Sequence, residues 1–236
     1  MAIGYSAGHA FTDNLSAAPG GTDTFVSKAF TNAFVGGEVA GMIVQHAADE
    51  AITFSDGTNS WSQQVRVYSA ALGFDLAIGL AKNCAAGGPY TVNASWASNV
   101  ARAAIIFSIT GGDITVQPVG TPLGAISSGA APPDPGMSVA TSAGDLIIGA
   151  VIDASATDIA AGSGYTRQLR AANAAAYQWC IEDQIAGGAG PYNPNWTTSL
   201  NFWAAVGIVI KAAAGGGGGP NVAYLYHQPK SLMFVD

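Results

Sequence analysis

Three histidines, His9, His46 and His227, are all the imidazole this chain has for acid–base work. His9 stands in the N-terminal arm, His46 ends an apolar run, and His227 lies near the C-terminus. A hydrolytic triad needs a nucleophile on a sharp strand-to-helix turn beside such an imidazole, and no Gly-x-Ser-x-Gly elbow here precedes a helix. Paired carboxylates of the glycosidase kind must face one cleft. Glu182 and Asp183 are adjacent in a strand-like run, so alternation sends them to opposite faces, and Asp49-Glu50 reads as a solvated connection. Asp56-Gly57-Thr58-Asn59-Ser60 offers oxygens at alternate positions, as a calcium loop does. It lacks the later bidentate Glu, and turn chemistry accounts for it. Cys84 and Cys180 occupy non-equivalent places in the two halves and fit no zinc spacing, which predicts free buried thiols. The expectation is no catalytic residue, no metal and no cofactor.

Aromatic residues carry the other candidate chemistry. Gly88-Pro89-Tyr90, followed by Asn93 and Trp96, returns as Gly190-Pro191-Tyr192, followed by Asn195 and Trp196. Tyr90, Trp96, Tyr192 and Trp196 could stack on sugar rings, or they could anchor loops with the phenol and indole reaching polar partners. Recurrence at matched places favours the anchoring role. It also implies an internal repeat, since the flanks agree: Gly37-Glu38 opens one apolar run and Gly144-Asp145 opens another. A half that cannot bury its own apolar face must pack against its twin.

The elements that would position these residues are strands. Long runs of helical period are missing, while β-branched and aromatic residues recur in short stretches broken by Gly, Pro, Asn and Asp. Strands are expected at 24–34, 38–46, 51–54, 61–68, 74–81, 90–95 and 99–109, then at 137–141, 145–153, 165–169, 176–182 and 202–211, with a glycine-rich loop at 186–195. The predicted fold is all-β, a single antiparallel jelly-roll-like sandwich built from two pseudo-repeats. Its parts are an arm at 1–22, a sandwich at 23–211, a linker at 212–220 and a tail at 221–236. The sandwich divides into repeats at 23–117 and 136–211, joined by a Pro- and Gly-rich crossover at 118–135 that cannot supply a central strand.

Composition narrows the partners. Charged residues are 10% of the chain, against ~25% in an average soluble domain, so its surface must be mostly small and neutral. The net charge is −7 and eight Lys and Arg are scattered, which argues against nucleic acid. Apolar runs are too short to cross a bilayer, and the N-terminus lacks the features of a Sec signal. After Lys211 come three alanines and five glycines, a linker by composition. The segment beyond, with Tyr224, Tyr226, Leu232, Phe234 and Val235, is too apolar for a free tail and too short to fold alone. It is expected to dock on another subunit.

The Gly-acid strand openings, the hairpin from Asp56 to Trp61, the Gly87-Gly88 loop and Trp203 opening a last apolar strand together resemble a two-repeat β-sandwich of phage virion and bacterial surface proteins. The resemblance spans roughly 23–211 and carries no catalytic residues. It implies display or assembly: a non-enzymatic virion component, a capsid decoration or a head or tail fibre, assembled in the host cytoplasm from copies of itself and other virion proteins. A carbohydrate-binding or adhesin module contacting a surface glycan is the second reading, and a glycan-active enzyme the third.

Overall fold

The computed structural model of the chain describes residues 2–6, 11, 23–100, 102–118, 120–127, 129–153, 158–172 and 178–214. Every element in these residues is a strand: β1 (Gly4–Tyr5), β2 (Asp23–Ala29), β3 (Glu38–His46), β4 (Thr53–Ser55), β5 (Trp61–Ser69), β6 (Phe74–Cys84), β7 (Thr91–Val100), β8 (Arg102–Thr110), β9 (Leu123–Ser127), β10 (Val139–Thr141), β11 (Leu146–Asp153), β12 (Thr166–Ala172), β13 (Gln178–Ile185), β14 (Gly190–Tyr192) and β15 (Trp203–Ile210). Among the described residues no helix is long and apolar enough to cross a membrane.

Two five-stranded antiparallel sheets face each other. One has the order β1-β8-β3-β6-β5 and the other β9-β15-β11-β13-β12 when read from the corresponding edge. Strand by strand the two orders match. The middle strands β3 and β11 are apolar on both faces and buried along their whole length, as strands covered from both sides must be. Their inner faces meet in one core, where Ile43, Ile105 and Phe107 from the first sheet join Ile148, Trp179 and Ile208 from the second. Each outer face carries a further layer. On the first lies a three-stranded sheet, β2-β7-β4, sealing Met42, Phe54, Val92 and Ile106. Over the second lies the β10-β14 pair with its connecting loops, covering Ile147 and Val209. The place corresponding to β4 is held by an irregular segment whose Ile159 plugs a cluster with Trp196 and Trp203. The sandwich is therefore four layers deep.

Three short strands lie where sequence alone gives loops. Within 118–135 the chain forms β9, which pairs with β15 on one side only. Pro122 precedes it, where a missing N–H costs nothing, so the rule against proline in a central strand is obeyed by an edge strand. The glycine-rich loop contains β14, in which Pro191 sits on a two-stranded ribbon opposite Ala140. The arm contributes β1. Conversely, the expected strand at 24–34 stops at Ala29, after which Phe30 and Phe34 turn inward and stack edge-on at 4.8 Å.

Candidate functional site

His46 closes β3 between Asp75 of β6 and Arg102 of β8. Its Nδ1 binds one oxygen of Asp75, whose other oxygen accepts from Arg66 Nε on β5, and the same guanidinium reaches Asp49. The His46 and Asp75 side chains are wholly buried, and the Trp96 indole lies 4.7 Å from the imidazole. Nearby, Glu50 takes the hydroxyl of Ser98 and the backbone N–H groups of Ala97 and Ser98. The hydroxyl of Ser98 is the first cause holding Glu50 below the usual carboxylate range. An acid, an oriented imidazole and a serine thus share one corner, the side-chain types of nucleophilic catalysis. Their connections differ from it, because Ser98 donates to Glu50 and the buried imidazole is lidded by Trp96. What the corner does achieve is an ion-pair chain that ties β3, β5, β6 and the connection after β3.

At the opposite end of β3, Glu38 is buried and its Oε2 accepts the N–H of Val35 at 3.0 Å. In the second half Asp145 takes the N–H of Ser142 at 2.8 Å. Gly37 and Gly144, both at positive φ, send their N–H groups to the carbonyls of Cys84 and Ala186. The Gly-acid echo is thus a strand-start cap used twice. Sequence reading passed over Ser6, the centre of Gly4-Tyr5-Ser6-Ala7-Gly8, which spells Gly-x-Ser-x-Gly. Its hydroxyl donates to Glu38 at 2.6 Å. Glu38 and His46 lie eight positions apart along β3, about 26 Å of extended chain, so Ser6 and the His46–Asp75 pair form no common site.

Glu182 and Asp183 diverge as alternation requires. Asp183 points inward, accepting from Tyr5 Oη at 2.6 Å and Gln168 Nε2 at 2.8 Å. Glu182 points outward, fully buried, with Oε2 accepting the N–H of Gly162 at 2.7 Å and Oε1 without a hydrogen-bond partner. Burial pushes Glu182 up to about 7, against the pull of backbone hydrogen bonds from Gly162 and Asn195.

The repeated aromatics behave as two kinds. Tyr90 Oη donates to the carbonyls of Ala85 and Ala86, and Tyr192 Oη accepts the N–H of Gly187. Each half-buried phenol closes the glycine-rich loop that precedes it. Both indoles are buried, Trp96 beneath β2 with Nε1 on the carbonyl of Asp23 and Trp196 in the cluster with Ile159. In the Asp56 turn one carboxylate oxygen accepts from Thr58 and Asn59 N–H and the other from Asn59 Nδ2. Burial raises Asp56, and these bonds more than offset it. Cys84 and Cys180 are free, lie in different clusters, and are pushed by burial to about 12. No group of three metal-ligating side chains occurs among the described residues. All four arginines meet aspartates.

One open groove of about 480 Å³ runs between the start of β9 and β10, lined by Gly120, Thr121, Leu123, Ser138, Val139 and Ala140. Leu123, Ile126, Ile114 and Val116 are four of the eight large apolar side chains exposed among the described residues, so exposed apolar surface concentrates in this stretch. The sequence signal for it was weak, because β9 lies inside a Pro- and Gly-rich connection. Tyr224, Tyr226, Leu232, Phe234 and Val235 lie outside the described residues. Comparison with protein-family models, with curated proteins and with solved structures found no match to this chain.

Proposed function

We propose that this chain is a non-enzymatic structural protein of a bacteriophage virion, a capsid decoration or head or tail surface protein built from two repeats of one β unit. In this reading its terminal segments hold it to neighbouring subunits. The observation that carries the proposal is the disposition of its reactive side chains: His46, Asp75, Glu50, Glu182 and Asp183 are each committed to internal hydrogen bonds or ion pairs that brace strands. The matching strand orders support the repeat. A surface poor in charge, with its arginines already paired, supports contacts to protein neighbours rather than to phosphate. The glycan-binding reading is weaker, since the indoles that would stack on a sugar are buried.

Assembly tests the proposal. Sedimentation and native mass spectrometry of the full chain should show a defined oligomer. Deletion of 215–236 should abolish that oligomer while leaving the melting temperature of the sandwich nearly unchanged. An oligomer that survives the deletion at the same stoichiometry would remove the tail as the anchor.

A further inference from the structure

We infer that Glu182 is a proton-dependent latch, which fastens a lid of covering segments to the outer face of β13 and releases it when the carboxyl loses its proton. Three segments, 131–134, 158–162 and 194–200, make the lid, and backbone bonds join them to one another. The N–H of Thr197 donates to the carbonyl of Ala160 at 3.2 Å, the N–H of Trp196 donates to that of Pro133 at 3.2 Å, and Ala131 and Leu200 exchange a pair of bonds. Ile159, Trp196 and Leu200 press this lid on Val151, Cys180 and Ala205 of the sheet below. Gly149 of β11 provides a seat, because a Cβ there would stand 2.4 Å from Pro194. Beside that seat, Glu182 pairs with Gly149 across the sheet. Its Oε2 accepts the N–H of Gly162 at 2.7 Å, and the N–H of Asn195 bonds the same carboxyl. Gly162 and Asn195 touch, since a Cβ on Gly162 would lie 1.9 Å from the Asn195 carbonyl oxygen. One carboxyl thus holds two lid segments where they meet.

The groups around Glu182 leave its charge unanswered. Arg167, its cross-strand partner on β12, spends its guanidinium on Asp158 and on the carbonyl of Ile159. On β13 itself Asp183 adds negative charge, and Cys180 is held as a thiol by burial. Tyr165 and Tyr192 bring phenols to the same neighbourhood, and Asp134 of the lid is bonded to Gly136 and Asn193. Oε1 of Glu182 and Oη of Tyr165 are buried without hydrogen-bond partners, which leaves Oε1 to carry the proton while Oε2 accepts. Burial raises the carboxyl to about 7 under the closed lid, whereas a lifted lid returns it to water and to ~4.3. Opening therefore releases a proton at any pH between these values. Rising pH favours the open lid across that interval, and the effect levels off above 7, where the closed form has lost its proton as well.

The two native cysteines supply the test. Cys180 lies beneath the lid with Trp196, two positions before Glu182 on the same face of β13, whereas Cys84 is buried under the other outer layer and serves as the reference. The full chain is labelled with N-ethylmaleimide between pH 5 and 7.5, and each cysteine is read by peptide mass spectrometry. Taking the ratio of Cys180 to Cys84 cancels the rise in thiolate that both share. In the wild type that ratio should climb about fiftyfold over this range. In Glu182→Gln it should stay level, because the amide oxygen still accepts from Gly162 and has no proton to lose. A wild-type ratio that does not change would overturn the inference, and it is the result expected if the whole molecule opened together. An equal climb in the variant would overturn it too. Should the variant fail to fold, carbon-13 NMR of the wild-type glutamate carboxyls decides: titration of Glu182 near 7 sustains the latch, and titration near ~4.3 removes it.

Discussion

Glu182 is a carboxyl placed where its charged form is disfavoured. Buried, with one oxygen unpartnered, it is raised to about 7, while an unfolded chain leaves Glu near ~4.3. The folded state therefore holds a proton that the unfolded state has released across the interval between these values. Its contribution to stability is fully present below the unfolded value and is lost as pH rises through 7, on the order of 3 kcal/mol in all. Urea titrations from pH 4.5 to 8 should show stability falling, and Glu182→Gln should flatten that slope. An unchanged slope in the variant would exclude Glu182 as its source. Asp75 is a buried acid joined to both His46 and Arg66. Asp75→Ala leaves the buried His46 Nδ1 without its partner, while Arg66 keeps Asp49, and should cost about 1 to 3 kcal/mol, measured by chemical denaturation. Neither role was legible in the sequence. His46 and Asp75 lie 29 positions apart and meet only through the register of β3 with β6. The divergence of Glu182 and Asp183, in contrast, followed from alternation alone.

Among the elements, those with continuous apolar runs were the legible ones. β3 begins and ends where Gly37-Glu38 and His46 place it, its acid bonding to the backbone of Val35 at one end and its imidazole to Asp75 at the other. β9, β14 and β1 were illegible for the converse reason, being short, covered on one face and rich in Gly or Pro, with pairing decided by neighbours rather than by their own pattern. Layer spacing was also hidden. A Cβ on Gly79 of β6 would lie 2.6 Å from the ring of Phe54 of β4, so the absent side chain is what lets the outer layer seat its aromatic. Gly79→Ala should destabilise by about 1 to 3 kcal/mol through overpacking. Adding Phe54→Leu should recover part of that loss, and strictly additive effects would show that the two positions do not share the space.

For the whole molecule the decisive feature is a core that neither half owns, with Ile43, Ile105 and Phe107 facing Ile148, Trp179 and Ile208. Thermal unfolding should accordingly be one transition, with calorimetric and van't Hoff enthalpies equal. Expressing 1–131 and 135–236 separately should give unfolded or insoluble material, and two soluble fragments with sharp transitions of their own would refute a shared core. The all-β, antiparallel character of this core was legible in the short apolar runs broken by Gly, Pro, Asn and Asp, and the Gly-acid echo marked the start of β3 and the approach to β11. The groove at β9 was not, since it depends on which edge the crossover leaves open. The most direct measurement of the proposed function is quantitative mass spectrometry of sedimented particles released by cells that encode this chain. The account predicts the full-length chain in those particles at a fixed ratio to the shell protein, with incorporation lost on deletion of 215–236. Finding the chain only in the soluble fraction, with none in the particles, would contradict it.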